Sequence, residues 1–189
     1  MSWYEKILKG KPGDDAASFT LEENANLKWI ANHTINNSYQ LLEERRTIGS
    51  LAFPKYSKRI AAGKVHNFEF VIKNHWLFRN KIIIERAGSL RIFTMLITDF
   101  HKSGIIELGN DGKVFWKCYK TLEHEWAFSD SSNRRLIDFK PVTSIYKSAY
   151  FVKIKCKELD ECSVAILLLL GIYNLLKVSE ETGIASTFI

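Results

Sequence analysis

The chain predicts a mainly β fold, an antiparallel sandwich or barrel, with one apolar helix near its C-terminus. Two observations carry this. First, short apolar–polar alternating runs recur from Leu27 to Lys155, broken by Gly, Asn, Asp and Ser clusters. Roughly nine to twelve such runs at spacings of about ten residues are the pattern of a sandwich or barrel. Second, the 15 residues 162–176 carry no charge. An element apolar all round must be buried on every side, in protein or in lipid. No amphipathic helices separate the strand-like runs, which excludes a doubly wound α/β fold.

The 189 residues are most simply one domain. Residues 1–26 read as a peripheral segment and residues 27–189 as the domain. Ser2 to Leu8 suits an amphipathic turn or two, Lys9 to Asp15 is a loop by its Pro and Gly, and Ser18 with Leu21-Glu22-Glu23 suits a short capped helix. From Leu27 the period becomes that of strands. Ser38–Leu42 and Thr47–Phe53 flank the charged turn Glu43-Glu44-Arg45-Arg46, which reads as a hairpin. Lys64 to Lys73 alternates as one strand. Lys81–Glu85 and Leu90–Leu96 flank Arg86-Ala87-Gly88-Ser89. Gly104–Leu108 and Lys113–Tyr119 flank Gly109-Asn110-Asp111-Gly112, where Asp-Gly favours positive φ. Trp126–Phe128, Leu136–Phe139 and Ala149–Lys155 complete the series.

Residues of about 159–177 predict the helix. Leu dominates it, and Asp160-Glu161 at its start and Lys177 at its end suit the helix dipole. At about 1.5 Å per residue, 15 residues cover about 22 Å of a hydrocarbon layer roughly 30 Å thick. The length favours a buried core helix over a bilayer span. Gly171 in its interior marks a close backbone approach.

Charge is uneven. Residues 1–44 hold four Lys/Arg against seven Asp/Glu, and residues 45–189 hold 23 against 14. A basic body suits phosphate-bearing partners, although a charge excess is also common on plain solvated faces. Three cysteines without a CxxC pair argue against a disulfide framework or zinc site, and no apolar leader opens the chain, so a reducing cytoplasm fits.

Catalytic signatures are missing from the sequence. It has no Gly-x-Ser-x-Gly elbow, Walker loop or Gly-x-Gly-x-x-Gly. None of His33, His66, His75, His101 and His124 makes a metalloprotease pair, and His66 and Glu69 are expected on opposite faces of a strand. Cys162 at a helix start could have a lowered pKa, but a small buried hydrophobe is the favoured reading for it and for Cys118. His124-Glu125 with Asp130 is an acid/base candidate, set against Asp130 binding backbone amides in its Ser/Asn-rich turn. No cofactor, metal or enzymatic activity is expected. Nucleic acid is an unlikely partner, since no helix-turn-helix or finger pattern occurs.

Several local patterns resemble the tubby-like superfamily, which includes the tubby C-terminal domain, the phospholipid scramblases and the plant LURP-one-related proteins. Phe78-Arg79-Asn80-Lys81-Ile82-Ile83-Ile84 resembles a strand of its bacterial members. Ile105–Leu108 through Asp111-Gly112 to Phe115-Trp116 resembles their central hairpin, and Glu125–Asp130 a further strand and turn. The resemblance covers residues 27–178 and rests on loose packing patterns. It implies a closed antiparallel barrel of about twelve strands with the hydrophobic C-terminal helix threaded through it.

The function then expected is a non-enzymatic, cytoplasmic and membrane-associated binding module for anionic lipid or phosphoinositide-like ligands. Lys55, Lys58, Arg59 and Lys64, with Tyr56 among them, form the candidate anionic patch. These positions do not match the family's phosphoinositide residues one by one, so the patch is an electrostatic reading only. Arg134-Arg135 and Lys153-Lys155-Lys157 are rival patches. Two alternatives stand beside this one. The chain is an integral scramblase-like protein anchored by residues 162–176, or a structural, protein-interaction domain without a small ligand.

Overall fold

The computed structural model describes residues 26–32, 37–55, 57, 59–75, 77–78, 80–99, 102–109, 112–120, 124–142, 149–156 and 158–181. Expectations for residues 1–25, Tyr56, Lys58, Asn110-Asp111 and Lys157 lie outside them.

Twelve strands form one closed antiparallel barrel: β1 (Leu27–Ala31), β2 (Ser38–Glu43), β3 (Arg46–Ala52), β4 (Ile60–Val65), β5 (Phe68–Asn74), β6 (Lys81–Arg86), β7 (Ile92–Asp99), β8 (Ser103–Glu107), β9 (Lys113–Lys120), β10 (Glu125–Ser129), β11 (Arg135–Pro141) and β12 (Ala149–Ile154). Each pairs with its neighbour in sequence, and β1 closes the ring by pairing with both β2 and β12. Closure removes the unpaired edges that an open sheet presents to other chains. The expected hairpins around Glu44-Arg45, residues 87–91 and residues 108–112 are present, and Gly109 and Gly112 take positive φ.

The expected strand over residues 64–73 is corrected. The alternation from Lys64 to Lys73 is two strands, β4 and β5, paired across His66-Asn67 with Val65 opposite Phe68. His66 takes φ 49°, and its N–H donates to Ile48 O at 2.9 Å, which holds the turn against β3. Two polar residues between Val65 and Phe68 do not interrupt a period of two strongly enough to show as a break.

The helix α1 (Glu161–Glu181) runs through the barrel. Eight strands leave room only for their own side chains, whereas a wider ring accommodates a helix 10–12 Å across. The helix touches β4 and β5 on one side and β10 and β11 on the other, and these pairs lie on opposite sides of the ring. Every residue from Ser163 to Leu175 is buried. By length and composition α1 could cross a membrane, but in this arrangement it turns no apolar face outward. Two close approaches fit it to the wall. A Cβ at Gly63 of β4 would meet Leu169, and one at Gly171 would meet the ring of Phe139 on β11. Tyr173 Oη donates to Asn74 Oδ1 at 3.0 Å, tying the helix to β5.

Asp160 caps the helix. Its Oδ1 accepts from Cys162 N at 2.8 Å and Ser163 N at 3.1 Å, and its Oδ2 from Ser163 Oγ at 2.5 Å. The other end differs from expectation. Lys177 is not the last-turn cation of the helix, which runs on to Glu181. Its stem is buried, and its ammonium pairs with Glu180 at 3.1 Å and lies over the Tyr173 and Phe53 rings at 5.7 and 6.0 Å.

Candidate functional site

Among the described residues the interior of the barrel is occupied by α1 and the inward side chains of the strands, and the charged side chains lie on the outer wall and at the mouths. Of the four basic residues read from the sequence as a patch, Lys55, Arg59 and Lys64 are described. Lys55 is exposed in the β3–β4 connection and Arg59 immediately precedes β4. Lys64 lies five residues further along, roughly 16 Å at the rise of a strand. Its ammonium pairs with Glu69 at 3.0 Å. Lys58 and Tyr56 lie outside the described residues. Along β4, Lys64 is thus set apart from Arg59.

The rival cations come together on the wall built by β9–β12 and β1. Register places Lys28, Phe151 and Lys140 in one outward row, which continues to Glu125 through its bond to Lys140 at 2.9 Å. A second outward row holds Lys153, Asp138, Ala127 and Lys117. Between the rows lies a groove of about 460 Å³, lined on its rims by Arg135, Asp138, Lys140, Phe151 and Lys153, with Asn26 at one end. The Asp138 carboxylate holds Lys155 and, at 3.5 Å, Arg135. Lys28 sits 5.3 Å over the half-exposed ring of Phe151. Among the described residues, Lys28, Lys117, Lys120, Arg135, Lys140, Lys153 and Lys155 lie on this wall beside the carboxylates of Glu125 and Asp138. Arg134 is drawn away to the β10–β11 turn by Glu158 and Asp130.

A second surface has different chemistry. Five of the six exposed large apolar side chains among the described residues are Leu77, Phe78, Leu90, Ile92 and Leu96, all on or beside the β6–β7 hairpin. Outward Ile92 and Leu96 alternate with inward Phe93, Met95 and Ile97, so strand geometry forces them into view. The row continues through half-buried Ile105 and Phe115. Leu90 is fully exposed at the hairpin turn, where Arg91 N donates to Ser89 Oγ and Ser89 N to Arg86 O. At the other end of β6, His75 Nδ1 accepts from Leu77 N at 3.3 Å and Phe78 N at 3.1 Å, which holds that loop in shape. Residues 73–96 carry five Lys/Arg and one acid, Glu85, which pairs with Lys73 at 2.6 Å. A cleft of about 360 Å³ beside the hairpin turn is lined by Lys73, Glu85, Arg86, Leu90 and Ile92, among others. Sequence reading took these residues as ordinary strand and turn. The signal was a leucine in a Gly-Ser turn between arginines, inside a stretch nearly devoid of acids.

The remaining chemical candidates resolve as structural groups. Asp130 Oδ1 accepts from Ser132 N and Arg134 N, both at 2.9 Å, and the Arg134 amide foremost holds its carboxyl below the usual range. Glu125 pairs with Lys140 and Lys120. Burial pushes the Cys162 thiol up, against the pull of Arg86, whose Nη1 lies 3.9 Å from Sγ. The helix start thus does not make Cys162 a ready thiolate. Burial, with Arg46 nearby, pushes the His66 imidazole down to about 4. His66 lies in the β4–β5 turn, and not within one strand with Glu69. No cluster of three His, Cys, Asp or Glu residues suited to a metal occurs among the described residues.

No protein-family model, no curated protein and no solved structure matches the chain.

Proposed function

We propose that the chain is a non-enzymatic binding module of tubby-like type that docks on anionic lipid through its β6–β7 hairpin. The observation that carries this is the concentration of exposed Leu77, Phe78, Leu90, Ile92 and Leu96 in a stretch with five cations and one acid. Large exposed apolar patches with polar rims mark interaction surfaces. Apolar side chains enter the headgroup boundary while cations near an anionic leaflet add about 1 kcal/mol each. The same charge disfavours a second copy, because like charges facing each other oppose association.

The barrel closed around a C-terminal helix is the architecture that the tubby-like resemblance implies, which supports that reading of the family. A bilayer anchor at residues 162–176 is the weaker alternative. It would require the helix to leave the barrel and expose the inward faces of strands all around the ring. A cytoplasmic protein that reaches membranes peripherally fits both the buried helix and the exposed hairpin. Protein interaction through the same apolar hairpin is the remaining reading.

Vesicle co-sedimentation tests the proposal. The full chain should bind vesicles of phosphatidylcholine with phosphatidylserine and not phosphatidylcholine alone. Leu90→Asp with Ile92→Asp should weaken binding about a hundredfold, given about 1.5–3 kcal/mol for each buried aliphatic side chain. Unchanged binding by this variant would remove the hairpin from the proposal.

A further inference from the structure

We propose that a phosphomonoester binds in the mouth of the barrel at the start of α1, held between the guanidiniums of Arg86 and Arg91. Register sets Glu85 opposite Ile92, so Arg86 and Arg91 are the next facing pair of the β6–β7 hairpin, and Arg86 N donates to Arg91 O at 3.3 Å. Buried Ile84 lies two residues before Arg86, and Phe93, packed against the core, two residues after Arg91. The period of a strand therefore turns both arginines to the inner side of the mouth. There they meet Cys162. Arg86 Nη1 lies 3.9 Å from its Sγ, and Arg91 lines a cavity of about 720 Å³ together with it. Burial raises the thiol, and both guanidiniums act on it in the opposite sense.

Like charges directly opposite on neighbouring strands repel. Among the described residues, no carboxylate forms an ion pair with either guanidinium. Arg86 instead rests over the Phe68 ring at 5.0 Å. A guanidinium held on an aromatic face keeps its N–H edge for hydrogen bonds to an anion. The nearby acids are engaged elsewhere. Glu85 pairs with Lys73 at 2.6 Å and Glu107 with Lys113 at 3.5 Å, while Asp160 takes the amides of Cys162 and Ser163. Glu107 and Asp160 also line the cavity. Because Asp160 occupies those amides, the arginines and not the helix terminus supply the attraction.

Charge and size select the ligand. A phosphomonoester carries about −1.5 to −2 at pH 7 and three acceptor oxygens, which serves both guanidinium forks. A carboxylate or a phosphodiester carries a single charge and leaves one arginine uncompensated. The cavity falls within the roughly 300–1,000 Å³ of small-ligand sites. This site goes beyond docking by the hairpin, because it faces the mouth whereas Ile92 and Leu96 face outward. A soluble phosphate ester and a lipid headgroup both present the group that it takes.

Calorimetric titration of the full chain with glycerol 3-phosphate tests this without a membrane. Binding about tenfold or more tighter than that of glycerophosphoglycerol, the singly charged diester, is expected. Arg91→Gln should weaken glycerol 3-phosphate binding about tenfold or more, the scale of a hydrogen bond to a charged group. Arg91→Lys, which keeps the charge without the fork, should lose less. No binding of glycerol 3-phosphate, equal affinity for the diester, or unchanged binding by Arg91→Gln would each overturn the proposal. The first two comparisons need only the parent chain, so they hold even where a variant fails to fold. Co-sedimentation then identifies the source of the phosphate, with phosphatidylcholine vesicles carrying phosphatidic acid or phosphatidylserine at matched surface charge. Tighter binding to phosphatidic acid, lost in Arg91→Gln, assigns the site to a lipid headgroup. Equal binding to both, beside tight glycerol 3-phosphate binding, assigns it to a soluble ester. Glycerol 3-phosphate binding by a chain that ignores all vesicles would remove the hairpin docking and leave this site standing.

Discussion

Gly171 of the helix lies against Phe139 of β11 so closely that any Cβ there would come within 3.0 Å of three ring carbons. The ring has nowhere to go. It is fully buried, edge-on to Trp116 at 5.6 Å and to Phe128 at 6.2 Å. Gly171→Ala therefore sets a helix-propensity gain of about 1 kcal/mol against an overpacking cost of about 1–3 kcal/mol or more. Denaturant unfolding should show net destabilisation. Combining it with Phe139→Leu should recover part of the loss, and a stabilised single variant would disprove the fit.

Leu169 faces the paired glycine, Gly63 on β4, from the same helix and is wholly buried. Leu169→Asp places an unpaired carboxylate in that contact, and an isolated buried charge is among the most costly single changes. Expression should give no folded soluble protein. A variant with a native far-UV spectrum and cooperative melting would contradict the threaded helix.

The Asp160 cap has a separable contribution. Its carboxylate satisfies the Cys162 and Ser163 amides. Asp160→Ala should cost about 1 kcal/mol, within the usual 0.5–2, while Asp160→Asn should cost less because it still accepts. Thermal or chemical melts of the three proteins decide the order.

His66 makes stability depend on pH in a known direction. Its folded-state value is near 4, below the ordinary 6.5. Between those values the unfolded chain binds a proton that the folded chain refuses. The contribution is fully present above pH 6.5 and is lost as pH falls toward 4. His66→Asn keeps a residue that tolerates φ 49° and lacks the titration. Its unfolding free energy should fall less between pH 6.5 and 4 than that of the parent. Identical slopes would assign the acid sensitivity to other groups.

Much of the fold is legible from short-range pattern. Ile82 and Ile84 point inward on β6 because they are two residues apart, and the Asn110-Asp111-Gly112 turn announces the β8–β9 hairpin. The turn at His66-Asn67 was not legible, since two polar residues keep the rhythm of a single strand. The basic surface was least legible. Lys55, Lys58, Arg59 and Lys64 are close in sequence, but β4 carries Lys64 away from Arg59. Lys28 and Lys140 are more than a hundred positions apart, and register brings them into one row on either side of Phe151.

By itself the sequence determined that the chain is antiparallel β with one helix buried on every side. Periods of two and uniform apolarity are local properties, and burial follows from them directly. Only the tertiary structure places residues 163–175 inside the ring of strands and decides which side chains share the outer walls. Those outcomes depend on the pairing of β1 with β12 and on the register of every strand between them. The β1–β12 pairing joins residues more than a hundred positions apart, Leu27 to Val152 among them, and no short window along the chain contains both partners.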